Sequence, residues 1–453
     1  MHRSGTRTPR RLALLACPLL AAALVASPAA LVASPAAPAA ETSPSEPQRW
    51  VGTWSTALTA PGSDPLPATV LEDQTLRQVV HTSVEGGSVR VRLSNEHGTR
   101  PLRIGEAHVA LSSGTGGGTG TVPGSDRRLT FGGQRAVTIP AGAPALSDPV
   151  PLQVPALSDV AISTYLPQRT RATSVHGSAY QRNFIVDGNR TGRTALQGAE
   201  VTTSWNFLSG VSVTAAPDAR SVVTLGDSIT DGAITTVDAN HRWPDFLARR
   251  LQAREDLADV GVLNKGIGGN RLLWDGRTIA GPFQGIGPLF GESALRRFDR
   301  DVLAQPGVEY VTVLLGINDI GQPGSIAPAS EAVSVRQLIA GYRQLIARAH
   351  ERGLRIYGAT LTPFEDTTIP GYYSAAAERK RDAVNRWIRT SGEWDAVIDF
   401  DRAVRDPQHP NRMLPRYDSG DHLHPNDAGM RAMAAAVPLR LFTEQHAPVR
   451  AAG

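Results

Sequence analysis

The stretch Ser221-Val222-Val223-Thr224-Leu225-Gly226-Asp227-Ser228-Ile229-Thr230-Asp231-Gly232 decides how this chain of 453 residues is read. Ser221 to Leu225 is a short β-branched apolar run, of strand length and bounded by turn residues. Gly226 and Asp227 end it. A serine placed where a strand turns toward a helix exposes its hydroxyl and lies beside helix N–H groups that can stabilise an oxyanion. The plainer reading of Ser228 is a helix N-cap.

On the C-terminal side the same alternation repeats. Gly261 to Leu263, Val308 to Leu315, Leu354 to Ala359 and Ala396 to Phe400 read as further strands, with helices near 242–254, 292–304, 329–351 and 373–391 and a last one after Pro425. Strand-helix-strand alternation implies a parallel sheet with helices on both faces, and such folds bind ligands at the carboxyl ends of the strands.

On the N-terminal side, from Trp50 to about Val213, short alternating runs such as Leu76 to Thr82, Ser88 to Leu93, Ala136 to Ile139 and Val160 to Tyr165 are bounded by turn residues. They imply an all-β sandwich or jelly roll. Thr214 to Ala219 reads as a linker, and the Gly/Thr-rich Gly114 to Gly124 as a mobile hairpin loop rather than a phosphate cradle. Trp50, Trp54 and Trp205 either form a sugar-stacking platform or pack in the core.

Residues 1–39 carry Arg3, Arg7, Arg10 and Arg11 ahead of an apolar run, Leu12 to Val25, too short for a comfortable membrane span. Ala37-Pro38-Ala39 fits a small-residue cleavage site, so this segment reads as a secretory signal peptide and the protein as secreted. Arg10-Arg11 suits twin-arginine export, but Pro9 stands where that motif has Ser or Thr, and the route stays open. Four of the 46 Lys+Arg and none of the 42 Asp+Glu lie in the leader, leaving 42 against 42. Net charge therefore gives nucleic-acid or anionic-membrane binding no support. Cys17 is the sole cysteine, so the mature chain has no disulfide, thiol nucleophile or Cys-ligated metal, and no integral membrane segment is expected in it.

The other strand ends carry further polar groups. Asn264-Lys265-Gly266-Ile267-Gly268-Gly269-Asn270 lets backbone approach a ligand closely, and the Gly269 N–H can point into the same site. Asn318, in Gly316-Ile317-Asn318-Asp319, offers an uncharged amide donor, although Asn and Asp are also ordinary turn formers. In Asp421-His422-Leu423-His424-Pro425 a carboxylate three residues before an imidazole can reach its Nδ1 and leave Nε2 facing a serine. Either residue can instead cap the helix that Pro425 opens.

The order Gly-Asp-Ser, Gly, Gly-x-Asn-Asp, Asp-x-x-His resembles the SGNH hydrolases, the GDSL-type esterase-lipase family, over about residues 219–446. The resemblance implies a three-layer α/β/α domain on a five-stranded parallel sheet. It implies Ser228 as nucleophile, His424 as general base and acid, Asp421 as its orienter, and the Ser228 N–H, Gly269 and Asn318 as oxyanion donors, with Gly268 replacing Gly269 if the loop register differs by one. No metal or cofactor is implied. The partner is an ester substrate, an acetylated carbohydrate or a short-chain acyl or lipid ester. The expected order is leader 1–39, linker 40–47, β-sandwich 48–213, linker 214–219, hydrolase domain 220–446 and tail 447–453. A sandwich ahead of such a domain is similar to some secreted carbohydrate acetylesterases and to many GDSL-type lipases.

The segment Arg271 to Gly291, with Trp274, Phe283 and Phe290, is expected to wall the substrate cleft, with Phe364 to Tyr373 opposite. Three other readings compete. Gly226-Asp227, Asn318-Asp319 and His422-x-His424 loosely imitate a two-metal phosphoesterase, although no Asp-x-His precedes Gly226. The same groups can serve an acyltransferase, or the β half can make a non-catalytic glycan-binding protein.

Overall fold

The computed structural model describes residues 49–443 apart from 65, 67, 115–117 and 277–284. The expected leader, the 40–47 linker, the 447–453 tail and Phe283 lie outside the described residues, as do parts of the Gly114 to Gly124 and Arg271 to Gly291 segments.

In the C-terminal half β1 (Arg220–Gly226), β2 (Val260–Gly266), β3 (Val308–Leu314), β4 (Arg355–Ala359) and β5 (Ala396–Ile398) form one parallel sheet in the order β2-β1-β3-β4-β5. Their continuous apolar runs are explained by burial on both faces: Val222, Val223 and Leu225 of β1 are wholly inaccessible. The helices are α1 (Ser228–Asp231), α2 (Trp243–Gln252), α3 (Ala294–Phe298), α4 (Ile317–Gly321), α5 (Val335–Glu351), α6 (Ala375–Thr390), α7 (Phe400–Val404) and α8 (Asp427–Ala436). From β1 the chain first steps outward to β2 and then returns to β3 on the other side. Right-handed crossovers therefore put α2 on one face, where α8 packs against it, and α3, α5 and α6 on the other. The reversal between β2 and β3 leaves a crevice at the carboxyl end of β1.

Several boundaries differ from the sequence expectation. The 292–304 helix splits into α3 and a π-helical turn over Asp299–Leu303, and the 329–351 helix begins only at Val335, where Ser334 and Gln337 form a capping box. The strand expected to reach Phe400 stops at Ile398, because the Asp399 side chain accepts the Arg402 N–H and starts α7.

The N-terminal half is mostly antiparallel β-sheet. One sheet orders Arg49–Ser55, Leu208–Ala215, Gly86–Ser94 and Val150–Val154; the other orders Glu200–Thr202, Asn183–Asp187, Gln74–His81, Asp159–Leu166, Glu106–Leu111 and Arg127–Arg128. Val51, Val89, Val91 and Val213 of the first share one core with Leu76, Val80, Val109 and Ile162 of the second, as the alternating runs require. Ser112 pairs with Thr121 across the Gly-rich stretch. The last strand includes Thr214 and Ala215, and a turn over 216–219 leads straight into β1.

The described residues all belong to one compact unit. Strand Arg49–Ser55 crosses β2 so closely that a Cβ on Gly261 would lie 2.2 Å from the Gly52 carbonyl oxygen, and one on Gly52 would lie 2.7 Å from Leu263. Glycine at both positions permits this approach. The Val262 N–H donates to Ser83 Oγ (2.9 Å) and Lys265 Nζ to the Thr56 carbonyl (2.6 Å) across the same junction.

Candidate active site

Ser228 opens α1 directly after β1. The turn is tight: a Cβ on Gly226 would sit 2.1 Å from Thr230 Oγ1. Asp227, not Ser228, caps the helix, accepting the Ile229 N–H at 3.0 Å. The Ser228 hydroxyl is thereby left for another partner. Asp227 is fully buried; burial pushes its carboxyl up to about 7, and its Oδ2 has no hydrogen-bond partner among the described residues.

That partner of Ser228 comes from the last turn before α8. His424 Nε2 lies 2.8 Å from Ser228 Oγ, and His424 Nδ1 lies 2.5 Å from Asp421 Oδ2. Facing a carboxylate, Nδ1 carries the proton and Nε2 presents its lone pair to the hydroxyl. Asp421 Oδ1 accepts the Leu423 N–H (3.0 Å), the His424 N–H (2.8 Å) and the Ser419 hydroxyl (2.9 Å). Partial burial alone would push the Asp421 carboxyl up; the bond from His424 and the backbone N–H groups outweigh it and hold it well below the usual carboxylate range. The cap of α8 is Asn426, which accepts the Ala428 and Gly429 N–H groups, so Asp421 and His424 are not needed there.

Gly269 and Asn318 are tied to each other. Asn318 Nδ2 donates one hydrogen to the Asn270 carbonyl (3.0 Å), while its Oδ1 accepts from Tyr372 Oη (2.7 Å) and Gln322 Nε2 (3.1 Å). Gln322 also donates to the Gly269 carbonyl (2.8 Å), bridging the two. The Gly268 N–H is engaged by Asp231 Oδ2 at 3.2 Å, whereas the Gly269 N–H has no hydrogen-bond partner among the described residues. Gly269 has φ +73°, and a Cβ there would meet the Phe290 ring at 2.4 Å. Glycine satisfies both constraints.

Beneath the site, fully buried Arg297 donates to the carbonyls of Gly226 (3.0 Å) and Lys265 (2.8 Å), to Asn270 Oδ1 (2.9 Å) and to Asp301 (3.1 Å). It clamps the ends of β1 and β2 to the loop that carries Gly269. Sequence reasoning passed over Arg297, Gln322 and Tyr372. Gln322 stands four residues after Asn318, a spacing that places both on one helix face and was readable; Arg297 and Tyr372 act across long sequence separations and leave no local pattern.

Both segments expected to wall the cleft touch the candidate site. Phe290 packs on Gly269, and Trp274 is exposed. In the Phe364 to Tyr373 loop Tyr372 is buried against Asn318, and the Thr368 N–H donates to the Asp421 carbonyl (3.0 Å). Trp54 and Trp205 are buried edge to face at 5.0 Å, with Trp205 Nε1 bonded to the Val79 carbonyl, and Arg90 covers Trp50 at 4.3 Å, so the three make no platform. Asp319 accepts the Leu272 and Leu273 N–H groups and His422 pairs with Asp418, and among the described residues no three His, Cys, Asp or Glu side chains converge as metal ligands.

Residues 224–432 match the model of the GDSL-like lipase/acylhydrolase family. This part of the chain is a GDSL-like acylhydrolase domain, and the protein is a carboxylic ester hydrolase. No curated protein matches the chain. Among solved structures, an acetylxylan esterase from Geobacillus stearothermophilus is 21% identical with a TM-score of 0.35, the match covering 51% of this chain and 97% of that one. A GDSL-like lipase from Bacteroides thetaiotaomicron is 18% identical with a TM-score of 0.34, covering 49% and 87%. Among the described residues no helix is long and apolar enough to cross a membrane.

Proposed function

We propose that the chain is an exported serine esterase in which Ser228, His424 and Asp421 form the catalytic triad. The observation that carries this reading is the hydrogen-bonded chain Asp421–His424–Ser228, at 2.5 and 2.8 Å. His424 Nε2 takes the Ser228 proton as Oγ attacks the ester carbonyl carbon. The oxyanion is received by the N–H groups of Ser228 and Gly269 and by the second amide hydrogen of Asn318. Collapse breaks the bond to the alkoxy oxygen, which leaves as the alcohol with the proton from His424. Water, deprotonated by the same imidazole, then attacks the acyl-enzyme; the acid departs and Ser228 regains its proton. That the Gly268 N–H is already spent on Asp231 favours Gly269 as the loop donor.

The substrates we assign are acetylated carbohydrates or short-chain acyl and lipid esters. A cavity of about 230 Å³ lies beside the glycine loop, lined by Ile267, Gly268, Leu289 and Phe290 with Thr59 and His176 of the β half. Export rests on residues 1–39, and the mature chain is expected to start at Ala40.

A panel from aryl acetates to long-chain esters and acetylated xylan, run on wild type and Ser228→Ala, tests the reading. Wild type is expected to turn over short esters and to be labelled by a fluorophosphonate, and Ser228→Ala to do neither. Turnover retained in Ser228→Ala refutes the nucleophile.

A further inference from the structure

Asp231 ends α1, three residues beyond Ser228, and it is buried. Its carboxylate serves two elements. Oδ2 accepts the Gly268 N–H at 3.2 Å, and Oδ1 lies 2.9 Å from Nε2 of His176, a residue of the β half in the short strand Val175–His176. His176 Nδ1 lies 2.9 Å from the Ala57 carbonyl oxygen. Both ring nitrogens thus face acceptors. A neutral imidazole donates once, so this setting holds the imidazolium. Burial and nearby Arg242 oppose the charge, and Asp231 outweighs them, raising the His176 value above its ordinary one.

The Gly268-Gly269 pair has the widest backbone freedom of any dipeptide, and two side chains restrain it. Gln322 holds the Gly269 carbonyl from the α/β half. Asp231 holds the Gly268 N–H, and His176 holds Asp231. We propose that His176 is a positioning residue, through which the β half fixes the glycine loop so that the Gly269 N–H is aimed at the oxyanion. The inference rests on the reading of Ser228 as nucleophile and Gly269 as donor. It makes the β half a part of the catalytic centre rather than a separate module.

Two substitutions separate the two bonds of His176. In His176→Asn the amide places a donor near the Nδ1 position and can keep Ala57 while losing Asp231. In His176→Gln the amide reaches the Nε2 position and can keep Asp231 while losing Ala57. With an aryl acetate, His176→Asn is expected to lower kcat at least about tenfold with KM within about threefold, since misplacing a reacting group by about 1 Å costs on the order of a hundredfold. His176→Gln is expected to retain kcat within about fivefold. Asp231→Asn, which removes the charge at constant volume, is expected to share the His176→Asn loss, and the double variant to lose no more than either alone. Asp231→Asn carries the test if His176→Asn does not fold, as judged by its melting temperature. Equal kcat in the Asn and Gln variants, wild-type kcat in His176→Asn or Asp231→Asn, or losses that simply add overturn the proposal. Ser228→Ala is assayed in parallel: activity there sinks the nucleophile reading, whereas an inert Ser228→Ala beside a fully active His176→Asn sinks only the role of His176.

Discussion

Replacing Asn318 by alanine removes one amide that does two jobs. Its free hydrogen is assigned to the oxyanion, and loss of one such donor costs about a hundred- to a thousandfold in kcat, roughly 2.7–4 kcal/mol of barrier. Its other atoms hold the site together: the Tyr372 hydroxyl and the Asn270 carbonyl lose their Asn318 partner. Each such group left unsatisfied costs about 1–3 kcal/mol of stability. Asn318→Asp keeps acceptors for Tyr372 and Gln322 at the same volume but puts negative charge where the oxyanion forms. It is therefore expected to be at least as inactive as Asn318→Ala, and, because the new carboxylate would also face the Asn270 carbonyl oxygen at a buried position, no more stable than wild type. Initial rates with an aryl acetate give kcat and KM, and urea titration gives stability. An Asn318→Ala enzyme with kcat within about threefold of wild type, or with its whole loss in KM, refutes the assignment.

Asp227→Asn tests the buried carboxyl behind Ser228. Its folded value of about 7 lies above an unfolded value of about 3.9, so the folded state binds more protons between them and wild-type stability falls as pH rises through that window. The variant keeps an acceptor for Ile229 without the charge; relative to wild type it is expected to gain stability from pH 4 to pH 8, and a pH-independent difference in denaturation midpoint would contradict this. Gly261→Ala drives a Cβ into the Gly52 carbonyl oxygen at 2.2 Å, and is expected to lower stability by about 1–3 kcal/mol; an unchanged melting temperature would show that strand Arg49–Ser55 can withdraw from β2.

The sequence by itself determined what is local. Continuous β-branched runs such as Val222 to Leu225 exist because strands buried on both faces exclude polar residues, and they mark the parallel sheet. The spacing of Leu338, Tyr342, Leu345 and Ala349 marks α5 in the same way. Asp421 and His424 stand three residues apart in one turn, so their pairing could be read without knowing the fold. Short elements were harder: α4 and α7 owe their existence to tertiary packing and to one cap, and a five-residue segment carries too little periodicity to announce itself.

Only the tertiary structure decided which polar groups converge. Nothing in the spacing of Ser228 and His424, 196 positions apart, sets their 2.8 Å separation; sheet order and the docking of α8 beside α2 do. That Asp231 takes the Gly268 N–H, the observation that favours Gly269 as the donor we propose, also comes from packing alone. The buried Trp54 and Trp205, the Arg297 clamp and the His176–Asp231 pair between the two halves likewise left no trace in local pattern. Each depends on contacts between segments far apart in the chain, and a buried polar side chain is chosen by the partners that packing brings to it.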